Sequence, residues 1–154
     1  MSTISNDKEF KTALESHNVA AQRALAARFI KNVMSLSTDK RIPSVVKAAE
    51  DQQATDDELQ AAAKSAKAAV MDCYTRCGAD ADWAAQAGYF VARAAAAAVA
   101  PADQVKGGPA WQAAMSSRMA RTAQLIESGD SAVSQESEQQ YRILSDYINK
   151  GAAS

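Results

Sequence analysis

Large apolar side chains are scarce in this chain. Leu, Ile, Val and Phe together supply 24 of its 154 residues, and the hydrophobic share reaches 47% only because 36 residues are Ala. Such poverty usually goes with disorder when net charge is high. Here the formal net charge is −1, and Ala is the strongest helix former. β-Branched residues are few and no stretch alternates with period two, which excludes a large sheet. The composition predicts an all-α fold. We read a single up-and-down helical bundle of six to seven helices over residues 1–154, with disordered ends at about 1–5 and 151–154.

Cysteine and histidine are nearly absent. Two cysteines, Cys73 and Cys77, are too few for a disulfide framework. They stand at i and i+4 on one helix, but the single His17 is distant in sequence and no second Cys pair completes a zinc set. The reading is therefore no metal and no cofactor, with a Cys73/Cys77/His17 metal or redox site as the alternative. No glycine-rich loop follows a strand, so no nucleotide fingerprint exists. The most apolar stretch, Trp83 to Val99, contains Gln86 and Arg93, which argues against a membrane span. Residues 1–7 carry no signal-peptide pattern, so the expected location is cytoplasmic. A pI near 5.8 argues against general nucleic-acid binding, which needs a basic surface.

What is present is helix punctuation. Asn6 with Glu9, and Thr55 with Glu58, form capping boxes. Asn18 caps a run from Val19 to Leu36. Pro43 suits the first turn of a short helix to about Gln53, and Pro109 opens another that Gly129 ends. Gly78 stops the helix begun at Asp56, Asp80 starts the next, and Ser134 caps the last, which runs to about Lys150. Helical spacing gives expected inner faces: Leu59, Ala63, Ala66, Val70, Cys73 and Cys77; then Trp83, Ala87, Phe90, Ala94 and Ala97; then Trp111, Met115, Met119, Thr122 and Ile126; then Tyr141, Leu144 and Ile148. The Ala-rich segments 56–77 and 80–100 read as a tight central hairpin.

Charge is uneven along the chain. Residues 1–47 carry net +4 and residues 48–100 carry net −4, which predicts that these thirds pack or pair together. The acids Asp56, Asp57, Glu58, Asp80 and Asp82 complement the positive ends of two helices. A solvated acidic cluster is also a contact surface, so we mark these five and Tyr89 as candidate partner-binding residues, Tyr being enriched at interfaces. The basic pairs Arg28/Lys31, Lys64/Lys67 and Arg118/Arg121 read as solvated faces, with anion binding as the alternative. His17 lacks a partner that any motif would place beside it, so no catalytic residue is assigned.

Over residues 17–100 the chain resembles the immunity proteins of bacterial polymorphic toxin systems (the Imm-5-like group). The resemblance rests on Asp39-Lys40-Arg41-Ile42-Pro43 opening a helix with Val45-Val46-Lys47-Ala48-Ala49, on the Thr55-Asp-Asp-Glu-Leu59 start, and on the Ala-rich segments 61–69 and 84–100. The family's Asp-x-Arg-Pro turn is interrupted here by Ile42. Its Ala-Gly-His-Ala reads Ala87-Gly88-Tyr89-Phe90. The resemblance implies an all-helical inhibitor that binds a protein partner, with no functional residues to carry over. The expected function is non-enzymatic neutralisation of a toxin by stoichiometric binding, by a chain that forms a homodimer. A phage-type inhibitor of a nuclease defence complex (an anti-CRISPR protein) is the alternative.

Overall fold

The computed structural model describes residues 3–77, 83–129 and 135–153. Seven α-helices form among them: α1 (Asp7–Glu15), α2 (Val19–Lys31), α3 (Arg41–Glu50), α4 (Asp56–Cys77), α5 (Trp83–Val99), α6 (Pro109–Ser128) and α7 (Glu136–Ala153). Short 3-10 turns occupy Met34–Leu36 and Ala102–Gln104, and the described residues contain no strand. The fold is all-α, as the composition requires.

The predicted N-caps form, but the Glu of each box takes a partner other than the cap's own amide, Glu58 accepting from the Thr55 hydroxyl. Asn6 Oδ1 accepts from the Glu9 amide at 2.9 Å, and Glu9 Oε1 accepts from the Ser5 amide at 3.0 Å. Asn18 Oδ1 accepts from Ala21 N at 2.8 Å. Thr55 Oγ1 accepts from Glu58 N at 3.1 Å. Gly129 closes α6 in the left-handed conformation, φ 71°. Two boundaries differ. α2 stops at Lys31 and a 3-10 turn carries the chain to Leu36. α3 runs Arg41–Glu50, so Pro43 falls in its first turn as expected, with Asp39 Oδ1 accepting from Arg41 N at 2.9 Å, but the helix ends short of the expected Gln53. The predicted stop at Gly78, start at Asp80 and cap at Ser134 lie outside the described residues.

α5 is the central helix. Its most extensive contact is with α6, followed by α4, and it also meets α2 and α3. It buries Ala87, Val91, Ala92, Ala94, Ala95, Ala98 and Val99. From α6, Ala113 and Ala120 are buried in the same cluster as these α5 residues. Small side chains on both faces let the axes approach closely, and close contact offsets the little area that each Ala removes from water. The most extensive pair is thus α5–α6, and α4–α5, the expected Ala-rich hairpin, comes next.

This pairing corrects the expected inner face of α6. Trp111 and Met115 are half-buried, while Met119 and Ile126 are 49% and 46% exposed. Large residues at the α5 contact would force the axes apart, so they stand at the flanks. The seam of α4 holds: Ala66 and Cys73 are buried and Leu59, Ala63 and Val70 pack against the core, with Ala69 and Ala62 added beside them. Trp83, expected inside, is 36% exposed, and Phe90 is half-buried.

The core has two parts. Ile30, Val33, Ile42, Val45 and Val46 pack with α4 and α5. Phe10, Leu14, Leu25, Phe29 and Leu144 pack with Ala110 and Ala114. α2 and α6 contribute to both parts and so join them. Phe10 anchors the second, 5.6 Å from the Phe29 ring and 5.4 Å from Tyr141 edge-on. Of the expected inner face of α7, Leu144 is fully buried and Tyr141 and Ile148 are half-buried; the buried positions beside Leu144 are Gln140 and Glu136, one and two turns earlier. Ile4 N donates to Ser145 Oγ at 3.0 Å, tying the chain before α1 to α7. The basic first third and the acidic middle third meet within one chain through the Arg41–Asp72 pair at 2.9 Å and the Lys31–Glu50 pair.

Candidate functional site

α4 and α5 share an outer face that no described element covers. On α4, Lys67, Met71 and Tyr74 recur at helical spacing and point away from the Ala66/Ala69/Cys73 seam, because the two sets occupy different sides of the helix. Met71 and Tyr74 are each 63% exposed. On α5, Tyr89 is half-buried and Arg93 exposed. The Tyr74 and Tyr89 rings lie 6.1 Å apart at 50°. The Arg93 guanidinium sits 5.8 Å from the Tyr89 centroid, and the Phe90 ring meets Tyr89 edge-on at 5.2 Å. A shallow groove of about 300 Å3 continues from this cluster between Lys67, Val70, Met71, Arg93 and Ala96. Tyr, Met and Arg are the residue types enriched where protein surfaces meet, and Tyr and Arg carry much of the binding energy there. The mutual stacking also holds the rings in place before any partner arrives.

Tyr89 is thus part of an aromatic cluster, half-buried rather than standing alone on a free face. Asp56, Asp57 and Glu58 are exposed, but they sit at the other end of α4, about 25 Å from Tyr74 at 1.5 Å per residue. They also face different ways. Asp56 borders a groove with Arg23, Lys64 and Lys67, whereas Glu58 borders one with Lys47 and Asp51. The structure does not gather these acids with Tyr89 into one site. Asp80 and Asp82 lie outside the described residues. Met71 and Tyr74 were not singled out in the sequence; the available signal was their position off the apolar seam of α4.

The residues of the alternative metal or redox site are separated. Cys73 belongs to the α4–α5 part of the core. His17 follows α1, with Nδ1 2.8 Å from the Ala13 carbonyl and its ring edge-on to Tyr147 at 5.7 Å. The Cys77 side chain lies outside the described residues. Among the described residues no three His, Cys, Asp or Glu side chains converge where an ion would sit. A cleft of about 470 Å3 runs past Cys73, Leu36 and Gly88. Its carboxylate, Asp39, is held by Arg41 at 2.7 Å.

The basic pairs have different fates. Arg28 lies over the Tyr147 ring at 5.1 Å. Arg118 binds Asp7 and Gln140, and Arg121 binds Glu136. Gly108 does not present its amide to an anion, since that N–H donates to Val105 O at 2.9 Å. Lys64 and Lys67 remain beside a groove. No helix of the described residues is long and apolar enough to cross a membrane.

Fold and surface together define an all-helical protein with an exposed, pre-stacked aromatic and basic face. Comparison with family models, with curated proteins and with solved structures finds no match to this chain.

Proposed function

We propose that the protein is a non-enzymatic inhibitor that neutralises a protein partner by stoichiometric binding, acting as an immunity protein against a toxin. The observation that carries the reading is the Met71/Tyr74/Tyr89/Arg93 face. Exposed large residues on such an Ala-rich chain contribute little to folding, and this cluster has the composition and rigidity of a binding anchor. The cations Arg93 and Lys67 at its edge would steer an acidic partner surface toward it.

Co-expression tests the reading directly. Candidate toxins encoded beside the gene are expressed with the wild-type chain or with a Met71→Glu/Tyr74→Ala variant. The expected result is growth rescue by wild type, a 1:1 complex on purification, and loss of both in the variant. Rescue that survives in the variant overturns the assignment of the face. Turnover of a small molecule by the purified chain overturns the inhibitor reading. A second copy of the chain is the other occupant this face could take. Light scattering then shows a homodimer that the same variant dissociates.

A further inference from the structure

Beside the start of α4 lies a second groove, of about 370 Å3, in which three cations converge from two helices: Arg23 of α2, and Lys64 and Lys67 of α4. Asp56 is the one acid among its described lining residues. On a chain of net charge −1 this is a local concentration of positive charge. None of the three cations enters an ion pair with another described residue. The Arg23 Nε is buried and makes no hydrogen bond. Natural proteins keep few buried donors unpaired, and such a donor is relieved by an acceptor that arrives from outside. The amides of Gln60 and Gln104 add polar groups at the rim, while Leu59 and Val99 supply an apolar floor.

We infer that this groove binds a small organic anion, a carboxylate or phosphate monoester carried on an apolar body. Arg23 turns its guanidinium on binding, so that Nε, covered in the free chain, reaches an anionic oxygen. Lys64 and Lys67 neutralise the charge, and Leu59 and Val99 hold the body. A guanidinium is suited to planar oxyanions, and hydrogen bonds to charged acceptors are about twice as strong as neutral ones. A groove of this volume lies in the range of small-molecule sites. The inference does not rest on the inhibitor reading.

The test is a titration of the full chain with phenyl phosphate, benzoate, inorganic phosphate, benzyl alcohol and a Glu-rich peptide, followed by amide chemical shifts. Phenyl phosphate or benzoate is expected to saturate with shifts at Gln60, Lys64 and Val99. Inorganic phosphate should bind at least about threefold more weakly for want of the apolar floor, and benzyl alcohol should not bind. Arg23→Gln and the double variant Lys64→Gln/Lys67→Gln should each weaken binding about tenfold or more, and salt at about 0.5 M should weaken it in the wild type. The lysines are exposed, so the double variant decides the matter even if Arg23→Gln fails to fold. The inference is overturned by organic anions that produce no saturable shift, by unchanged affinity in the double variant, by inorganic phosphate binding as tightly as phenyl phosphate, or by binding of the peptide alone.

Discussion

Arg118 and Asp7, 111 residues apart, form a two-pronged ion pair: Nη1 to Oδ2 at 3.0 Å and Nη2 to Oδ1 at 2.8 Å. The pair fastens α1 to α6. Tyr141 of α7 donates its hydroxyl to Asp7 Oδ1 at 2.6 Å, so one carboxylate ties three helices. The Arg118 hydrogen bond holds the Asp7 carboxyl below its usual pKa. Burial, followed by the bond to Asp7, pushes the Tyr141 hydroxyl above its own. A carboxyl whose pKa falls on folding stabilises the native state above its unfolded pKa, about 3.9, and loses that contribution as pH drops through the folded value. The Asp7 side chain is 51% exposed, so solvent screening limits the effect to about 1 kcal/mol or less. Urea midpoints for wild type and Asp7→Asn should therefore differ at pH 7 and converge as pH falls through the lowered pKa of the folded carboxyl. A gap that is unchanged by acid would show that the charge on Asp7 contributes nothing.

Glu136 is 1% exposed. Its carboxylate accepts from Arg121 Nε at 3.0 Å and from Asn32 Nδ2 at 2.6 Å, while Arg121 Nη2 donates to the Asn32 carbonyl at 3.1 Å. The first turn of α7 is thereby locked to α6 and to the end of α2. Removing one partner of a buried pair leaves the other charge uncompensated, which costs about 3–5 kcal/mol. Arg121 retains some solvent access, so Glu136→Ala should fall near the lower end, about 3 kcal/mol. Glu136→Gln keeps the shape and some hydrogen bonds and should cost less. Chemical denaturation of both variants and of Arg121→Ala, analysed as a double-mutant cycle, reads the coupling. Additive losses would refute a direct interaction.

Gly108 and Gly129 both have positive φ, 95° and 71°, but their surroundings differ. A Cβ at Gly108 would fall 2.3 Å from Gln22 Oε1, whereas nothing stands within 4 Å of one at Gly129. Gly129→Ala should then cost only left-handed strain, about 1 kcal/mol. Gly108 has ψ 161°, a region that side-chain-bearing residues hardly enter, so Gly108→Ala should cost a larger strain, about 2–3 kcal/mol, plus the displacement of a buried side chain. In Gln22→Ala the steric part should vanish, with Gly108→Ala still costing more than Gly129→Ala. Thermal or urea unfolding of the set checks the ordering.

The helix starts at Asp7, Val19 and Asp56 were legible because each depends on a local hydrogen bond that the side-chain oxygen of Asn6, Asn18 or Thr55 accepts from an amide three residues on. The all-α class followed from Ala abundance. The orientation of α6 was not legible. A rule that sends large residues inward selects Trp111, Met119 and Ile126, yet the α5 contact selects Ala113 and Ala120. Which face packs depends on the neighbour's face, and that is tertiary information. Glu136 and Gln140 were missed for the same reason, since their burial depends on Arg118 and Arg121 across the interface. The three cations of the α2–α4 groove are equally non-local: Arg23 stands more than forty residues from Lys67.

The acidic start of α4 and the aromatic face make opposite forecasts for partner binding. Asp56 and Asp57 are exposed, and neither takes part in the Thr55–Glu58 cap. Asp56→Asn/Asp57→Asn should thus lower stability only by the lost dipole complementation, within about 1 kcal/mol, and leave affinity for the partner within about twofold apart from a salt-dependent change in on-rate. Tyr74→Ala removes an exposed ring, so stability should stay within about 0.5 kcal/mol, while partner affinity should fall about thirtyfold or more, the mark of an anchor worth about 2 kcal/mol. Surface plasmon resonance on the purified pair separates the two. If the acidic variant loses binding and Tyr74→Ala keeps it, the contact lies at the first turn of α4, and the stacked rings serve only to join α4 to α5.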